Sequence, residues 1–137
     1  MQDSFFIDTN ILVYFVSNDS VKMNICRDLL INDTRSIISS QVINEFTNVV
    51  IRKKILSFKN AVSYANDFMA AFNFVLIKKN TIRLSFDIIK KYKFSTWDSL
   101  IIASALENDC NILYTEDMQH DQIIEDQLRI INPFKDI

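Results

Sequence analysis

Short apolar, β-prone runs alternate along this chain with segments of helical periodicity, and few architectures accept that alternation. The runs are "DSFFI" at 3–7, "SIIS" at 36–39, "FVLI" at 74–77, "NILYT" at 111–115 and "LRIIN" at 128–132. Between them, residues 9–16 and 19–31 read as helices. A third helix carries Ile43, Phe46 and Val50 at spacings of three and four. A fourth, over 58–72, carries Ala61, Ala65, Phe68 and Phe72. Asn80 reads as the N-cap of a helix running to about Tyr92. Ser95, with Asp98 three residues on, resembles a capping box opening "WDSLIIASALEN". The pattern predicts an α/β domain with a mainly parallel sheet. In such sheets ligands bind beyond the carboxyl ends of the strands. Asp8 ends the first run, and Asp117 lies just past the fourth.

Composition narrows the function classes. A length of 137 residues fits one domain over 1–137, and 49% hydrophobic residues build a sizeable core. Glycine is absent and Pro133 is the single proline, which excludes a Gly-rich phosphate loop and a flexible linker. No run approaches the ~20 apolar residues of a membrane span. No basic segment precedes an apolar one at the N-terminus, so a cytoplasmic chain is expected. Cys26 and Cys110 match no metal or redox spacing. His120, the one histidine, cannot build a His-rich zinc site, and a G-x-S-x-G hydrolase needs glycine. The net charge of −2 and pI near 5.3 do not advertise nucleic-acid binding. The clusters Arg52-Lys53-Lys54, Lys78-Lys79 and Lys90-Lys91-Lys93 read first as solvated helix ends and second as phosphate contacts.

The carboxylates carry the chemistry. "SFFIDTNILVYF" at 4–15 is almost wholly apolar, yet breaks at Asp8. A buried unpaired charge is costly, so Asp8 needs a partner or a task. Glu45 lies three residues after Val42 and four before Val49, at the edge of an apolar helix face. Asp98 crowns the stripe Ile101, Ile102 and Ala105. Each has a plain explanation alone: Asp98 as a helix-start charge, Glu45 as a surface residue. Brought together, Asp8, Glu45, Asp98 and Asp117 would repel one another unless cations filled the site. Oxygen-only ligands suit Mg²⁺ or Mn²⁺. Such a cluster binds one or two metals, activates water and stabilises a phosphodiester transition state.

"FIDTNILVYF", "SSQVINEF" at 39–46, "YKFSTWDSLIIASAL" at 92–106 and "ILYTEDMQH" at 112–120 together resemble the PIN-domain pattern. More closely, they resemble the toxins of VapBC-type toxin–antitoxin pairs. The resemblance implies an α/β/α sandwich and a divalent-metal-dependent endoribonuclease that cleaves RNA phosphodiesters; in-line hydrolysis by a metal-activated water would leave 5′-phosphate and 3′-hydroxyl ends. It maps metal ligands onto Asp8 and Asp98, with Glu45 and Asp117 completing the acidic pocket. Asn10 and Thr115 match its supporting polar positions. It also implies a homodimer and a cognate antitoxin. Relatives often carry Gly directly after "QH", where this chain has Asp121, a further negative charge near the site.

Within "TEDM", strand alternation predicts Thr115 and Asp117 on one side and Glu116 facing solvent or a lysine. A haloacid-dehalogenase phosphatase would need a second acid where Asn10 stands. A receiver domain would need an acidic pair at the end of the first strand, and Asp3 lies at the wrong end. The alternative from another class is a catalytically silent PIN-like binding module.

Overall fold

A computed structural model describes residues 3–31 and 35–137. Its strands are β1 (Phe5–Ile7), β2 (Ser36–Ser39), β3 (Asn73–Val75), β4 (Ile112–Tyr114), β5 (Ile123–Ile124) and β6 (Leu128–Ile131). Its helices are α1 (Thr9–Phe15), α2 (Ser20–Ile31), α3 (Ser40–Arg52), α4 (Phe58–Ala71), α5 (Lys79–Tyr92) and α6 (Thr96–Glu107). The strands form one six-stranded sheet in the order β3-β2-β1-β4-β6-β5, parallel except where β5 pairs antiparallel with β6.

This order sets the layering. The chain walks from β1 through β2 to β3 on one side of β1, then crosses back to β4 on the other. Right-handed crossovers in opposite directions place their helices on opposite faces. The helix α1 packs on both α2 and α3, α3 packs on α4, and α5 packs on α6. Both faces of the central strands are thereby covered. The neighbours Phe6 and Ile7 point to opposite faces, yet both are fully buried.

Several boundaries differ from the sequence expectation. The third strand starts at Asn73 and stops at Val75, because the Ile77 N–H turns to Ser40 Oγ at 3.0 Å. The N-cap of α5 is Lys78, not Asn80. Thr81 accounts for the shift: its Oγ1 accepts from the Lys78 N–H at 3.1 Å and its hydroxyl donates to Glu107. Ser95 does cap α6, its Oγ accepting from the Asp98 N–H at 3.1 Å. Cys26 and Cys110 are free and buried, and burial lifts their thiols to about 12 and about 11. No helix among the described residues is long and apolar enough to cross a membrane.

Candidate active site

Between β1 and β4 the chain's direction of travel reverses, which makes a crevice at their carboxyl ends. A cavity of about 410 Å³ opens there, bordered by Asp8, Glu45, Asp98 and Asp117. Asn10 and Glu116 also border it, and Thr115 lies buried beneath.

Asp8 is the deepest carboxylate, only 4% exposed. It caps α1, with Oδ1 accepting from the Thr9 N–H at 2.7 Å. Its Oδ2 accepts from the Thr115 hydroxyl at 2.8 Å. Burial nevertheless pushes this carboxyl up to about 7. The bonds from Thr115 and Thr9 pull it down, and the charges of Asp117 and Glu45 push it up again. Burial likewise raises the Asp98 carboxyl, with Asp117 and Glu45 adding to the effect. Asp8 and Asp98 therefore each feel the charges of Asp117 and Glu45.

Neutral groups hold them in place. The Asn10 amide donates to Thr115 Oγ1 at 3.3 Å and to Asp117 Oδ2 at 3.0 Å, while its Oδ1 accepts from the Glu116 N–H at 3.2 Å. Glu45 is pinned at both oxygens. Thr9 Oγ1 donates to Oε2 at 3.0 Å and Gln41 Nε2 to Oε1 at 2.8 Å. Gln41 Nε2 also reaches the Trp97 carbonyl at 3.2 Å, tying α3 to the turn that carries Asp98. The sequence reading singled out neither Thr9 nor Gln41 as a site residue. Gln41 stands one turn before Glu45, the spacing at which helix side chains meet, and that was the available signal.

The turn after β4 departs from simple alternation. The strand ends at Tyr114 and the chain bends at 116–118, so Glu116 and Asp117 both border the cavity. Glu116 does reach a lysine. Its Oε2 accepts from Lys22 at 2.7 Å and its Oε1 from the Tyr14 hydroxyl at 2.8 Å. This ion pair neutralises Glu116, and the Lys22 ammonium also sits over the Tyr14 and Phe134 rings. Asp121 adopts the left-handed φ of 69° that Gly would favour. Its Oδ1 accepts from Arg129 Nε at 2.9 Å, and that guanidinium holds the carboxyl below its ordinary value. Asp121 is thus matched by Arg129 and does not border the cavity. His120 accepts from the Asn132 N–H at 3.0 Å, a structural bond.

The donor set fits a hard cation. All four acids offer oxygen, and the charges of Asp117 and Glu45 add to the burial that raises the Asp8 carboxyl. Among the described residues, no three His, Cys, Asp or Glu side chains close into a ready-made metal cage. Mg²⁺ asks for less than a cage: one or two carboxylates, with water and phosphate oxygen completing its shell.

A mainly parallel α/β sheet with four acids on its switch-point crevice defines an acidic-cavity α/β domain. The chain belongs to the PIN-domain family, whose pattern matches residues 5–125. No curated protein matched the chain. Among solved structures, the chain is similar in fold to VapC20 of Mycobacterium tuberculosis, described as a sarcin–ricin loop cleaving toxin. That likeness has a TM-score of 0.71 at 13% identity, over 83% of this chain and 90% of that one. A toxin–antitoxin complex from Klebsiella pneumoniae gives 0.71 at 19% identity, over 96% and 98%. VapBC2 of Rickettsia felis, bound to a DNA fragment from its promoter, gives 0.63 at 21%, over 92% and 96%.

Proposed function

We propose that this chain is a divalent-metal-dependent endoribonuclease and the toxin subunit of a VapBC-type pair. One observation carries the reading: four carboxylates from separate elements share one cavity, with Asp8 buried among them. A structural role explains no such convergence, because burying like charges costs stability. The toxin descriptions of the similar structures support the biological setting.

Asp8 and Asp98 would hold Mg²⁺ or Mn²⁺, which supplies a Lewis acid for the phosphate and a lowered pKa for an attacking water. The Thr9 N–H and the Thr115 hydroxyl aim the two Asp8 oxygens. Glu45, fixed by Thr9 and Gln41, and Asp117, fixed by Asn10, complete the wall. Lys53, on the same cavity, offers a cation to the incoming phosphodiester. The oxygen of water would bond to phosphorus as the P–O3′ bond opposite it breaks; the water releases a proton to solvent and the departing 3′ oxygen takes one up, so that one water is added in all. The ends produced are 5′-phosphate and 3′-hydroxyl.

The purified chain is expected to cleave RNA with Mg²⁺ or Mn²⁺, to stop in EDTA, and to resume when the metal returns. Undiminished turnover in a preparation shown metal-free by elemental analysis contradicts the reading. A homodimer and a cytoplasmic antitoxin whose basic side chain enters the acidic cavity belong to the same proposal. Native mass measurement and co-purification from the source cell test them. Absence of any cleavage with either metal would favour the silent binding module.

A further inference from the structure

The acidic cavity does not end at Glu45. A second cavity, of about 680 Å³, shares Gln41, Glu45, Val49 and Trp97 with it. Beyond those four its lining is neutral, including Asn44, Asn48, Ile77 and Leu100. Trp97 is the chain's only tryptophan, is 65% exposed, and immediately precedes Asp98. Its backbone is fastened to α3 by Gln41 Nε2, the same amide that holds Glu45. Asn44 and Asn48 stand one turn apart on α3, both exposed. Among the described residues, neither side-chain amide has an intramolecular hydrogen bond.

We propose that this second cavity is a nucleobase subsite. An unpaired base of single-stranded RNA, next to the scissile phosphate, stacks on the Trp97 indole and turns its polar edge to Asn44 and Asn48. The inference rests on the ribonuclease reading and names how that site takes its substrate. The charge pattern selects this occupant. The phosphate belongs in the acidic cavity, where a cation and Lys53 meet it, and the uncharged base fits the cavity alongside, whose lining beyond the shared Glu45 is uncharged. A base has a flat π-face for an indole and donors and acceptors on its edge, and an amide supplies both partners. Duplex RNA keeps its bases paired and stacked, so only a single strand or loop can enter.

Trp97, as the sole tryptophan, reports on its own subsite. The test titrates the full chain, in Mg²⁺ buffer, with a 2′-O-methyl single-stranded RNA of mixed sequence. The same strand annealed to its complement serves as the comparison. The single strand is expected to quench Trp97 fluorescence, and the duplex to leave it unchanged. Trp97→Ala is expected to weaken single-strand affinity about 5- to 150-fold, by anisotropy of a labelled strand. Trp97→Phe restores most of it. In cleavage assays Trp97→Ala raises KM more than it lowers kcat. Unquenched fluorescence, or equal affinity of wild type and Trp97→Ala for the single strand, overturns the proposal. So does a dimer that Trp97→Ala splits while RNA affinity holds, since a second copy then covers the ring. Single-strand quenching by a chain that cleaves nothing sinks the nuclease reading and keeps the subsite. Normal cleavage with an unchanged KM in Trp97→Ala does the reverse.

Discussion

At the scale of single residues, Asp8 carries the largest tension. Its folded carboxyl sits near 7, against 3.8 for a free aspartate. Between those values the folded chain keeps a proton that the unfolded chain has lost. Without divalent metal, folded stability should therefore fall as pH rises from about 4 to about 7, then level off. The full effect is on the order of 4 kcal/mol. Asp8→Asn is expected to flatten that slope, measured by urea unfolding in EDTA across the window. The same slope in the variant would place the tension elsewhere. The need for a partner at Asp8 was readable from its apolar neighbours. Its bonds to Thr9 and Thr115 were not, because one depends on the local turn and the other on strand pairing. Gln41 shows the same limit. Its Oε1 is buried without a partner, which costs about 1–3 kcal/mol, while its Nε2 serves Glu45 and Trp97. Gln41→Met removes both features at similar volume. It should leave thermal stability unlowered while cleavage falls about 10- to 100-fold, as for residues that orient ligands. Lower stability with unchanged cleavage would make Gln41 purely structural.

At the scale of elements, helical periods were readable and ends were not, and the absence of glycine explains much of this. Among the described residues, six non-glycine residues take positive φ: Lys54, Lys93, Asp109, Asp121, Glu125 and Asp126. After α6, the Cys110 N–H bonds to the Ala105 carbonyl at 3.0 Å and the Asp109 N–H to that of Leu106 at 3.1 Å. This is a Schellman motif with Asp109 at the position glycine prefers. Lys54 closes α3 in the same way. The β5–β6 hairpin escaped sequence reading for a related reason. Glu125 and Asp126 both take positive φ, and the Gln127 N–H bonds to the Ile124 carbonyl at 3.0 Å. That is the pattern of a type I′ turn, whose usual sequence sign is Asn-Gly. Asp109→Gly should accordingly raise stability by about 1 kcal/mol through relief of the left-handed penalty. Denaturant midpoints of the two chains check this, and an unchanged or lower midpoint contradicts it.

At the scale of the whole molecule, the alternation of strands and helices announced a parallel α/β sheet, and the carboxyl-end positions of Asp8 and Asp117 could be read with it. Strand order could not, because it depends on crossovers between distant segments. That order makes β1 the neighbour of β4, which sets Asp8 and Asp117 on one crevice. Glu45 and Asp98 arrive from α3 and α6, and only the folded sheet shows that all four border one cavity. If they act as a unit, their losses cannot multiply. The decisive measurement is the rate of RNA cleavage at saturating Mn²⁺ by wild type, Asp8→Asn, Asp98→Asn and the double variant. Each single variant should fall to background, with the double no slower than either single one. A single variant near the wild-type rate, or a double variant whose loss is the product of two partial losses, would contradict the account of one shared acidic site.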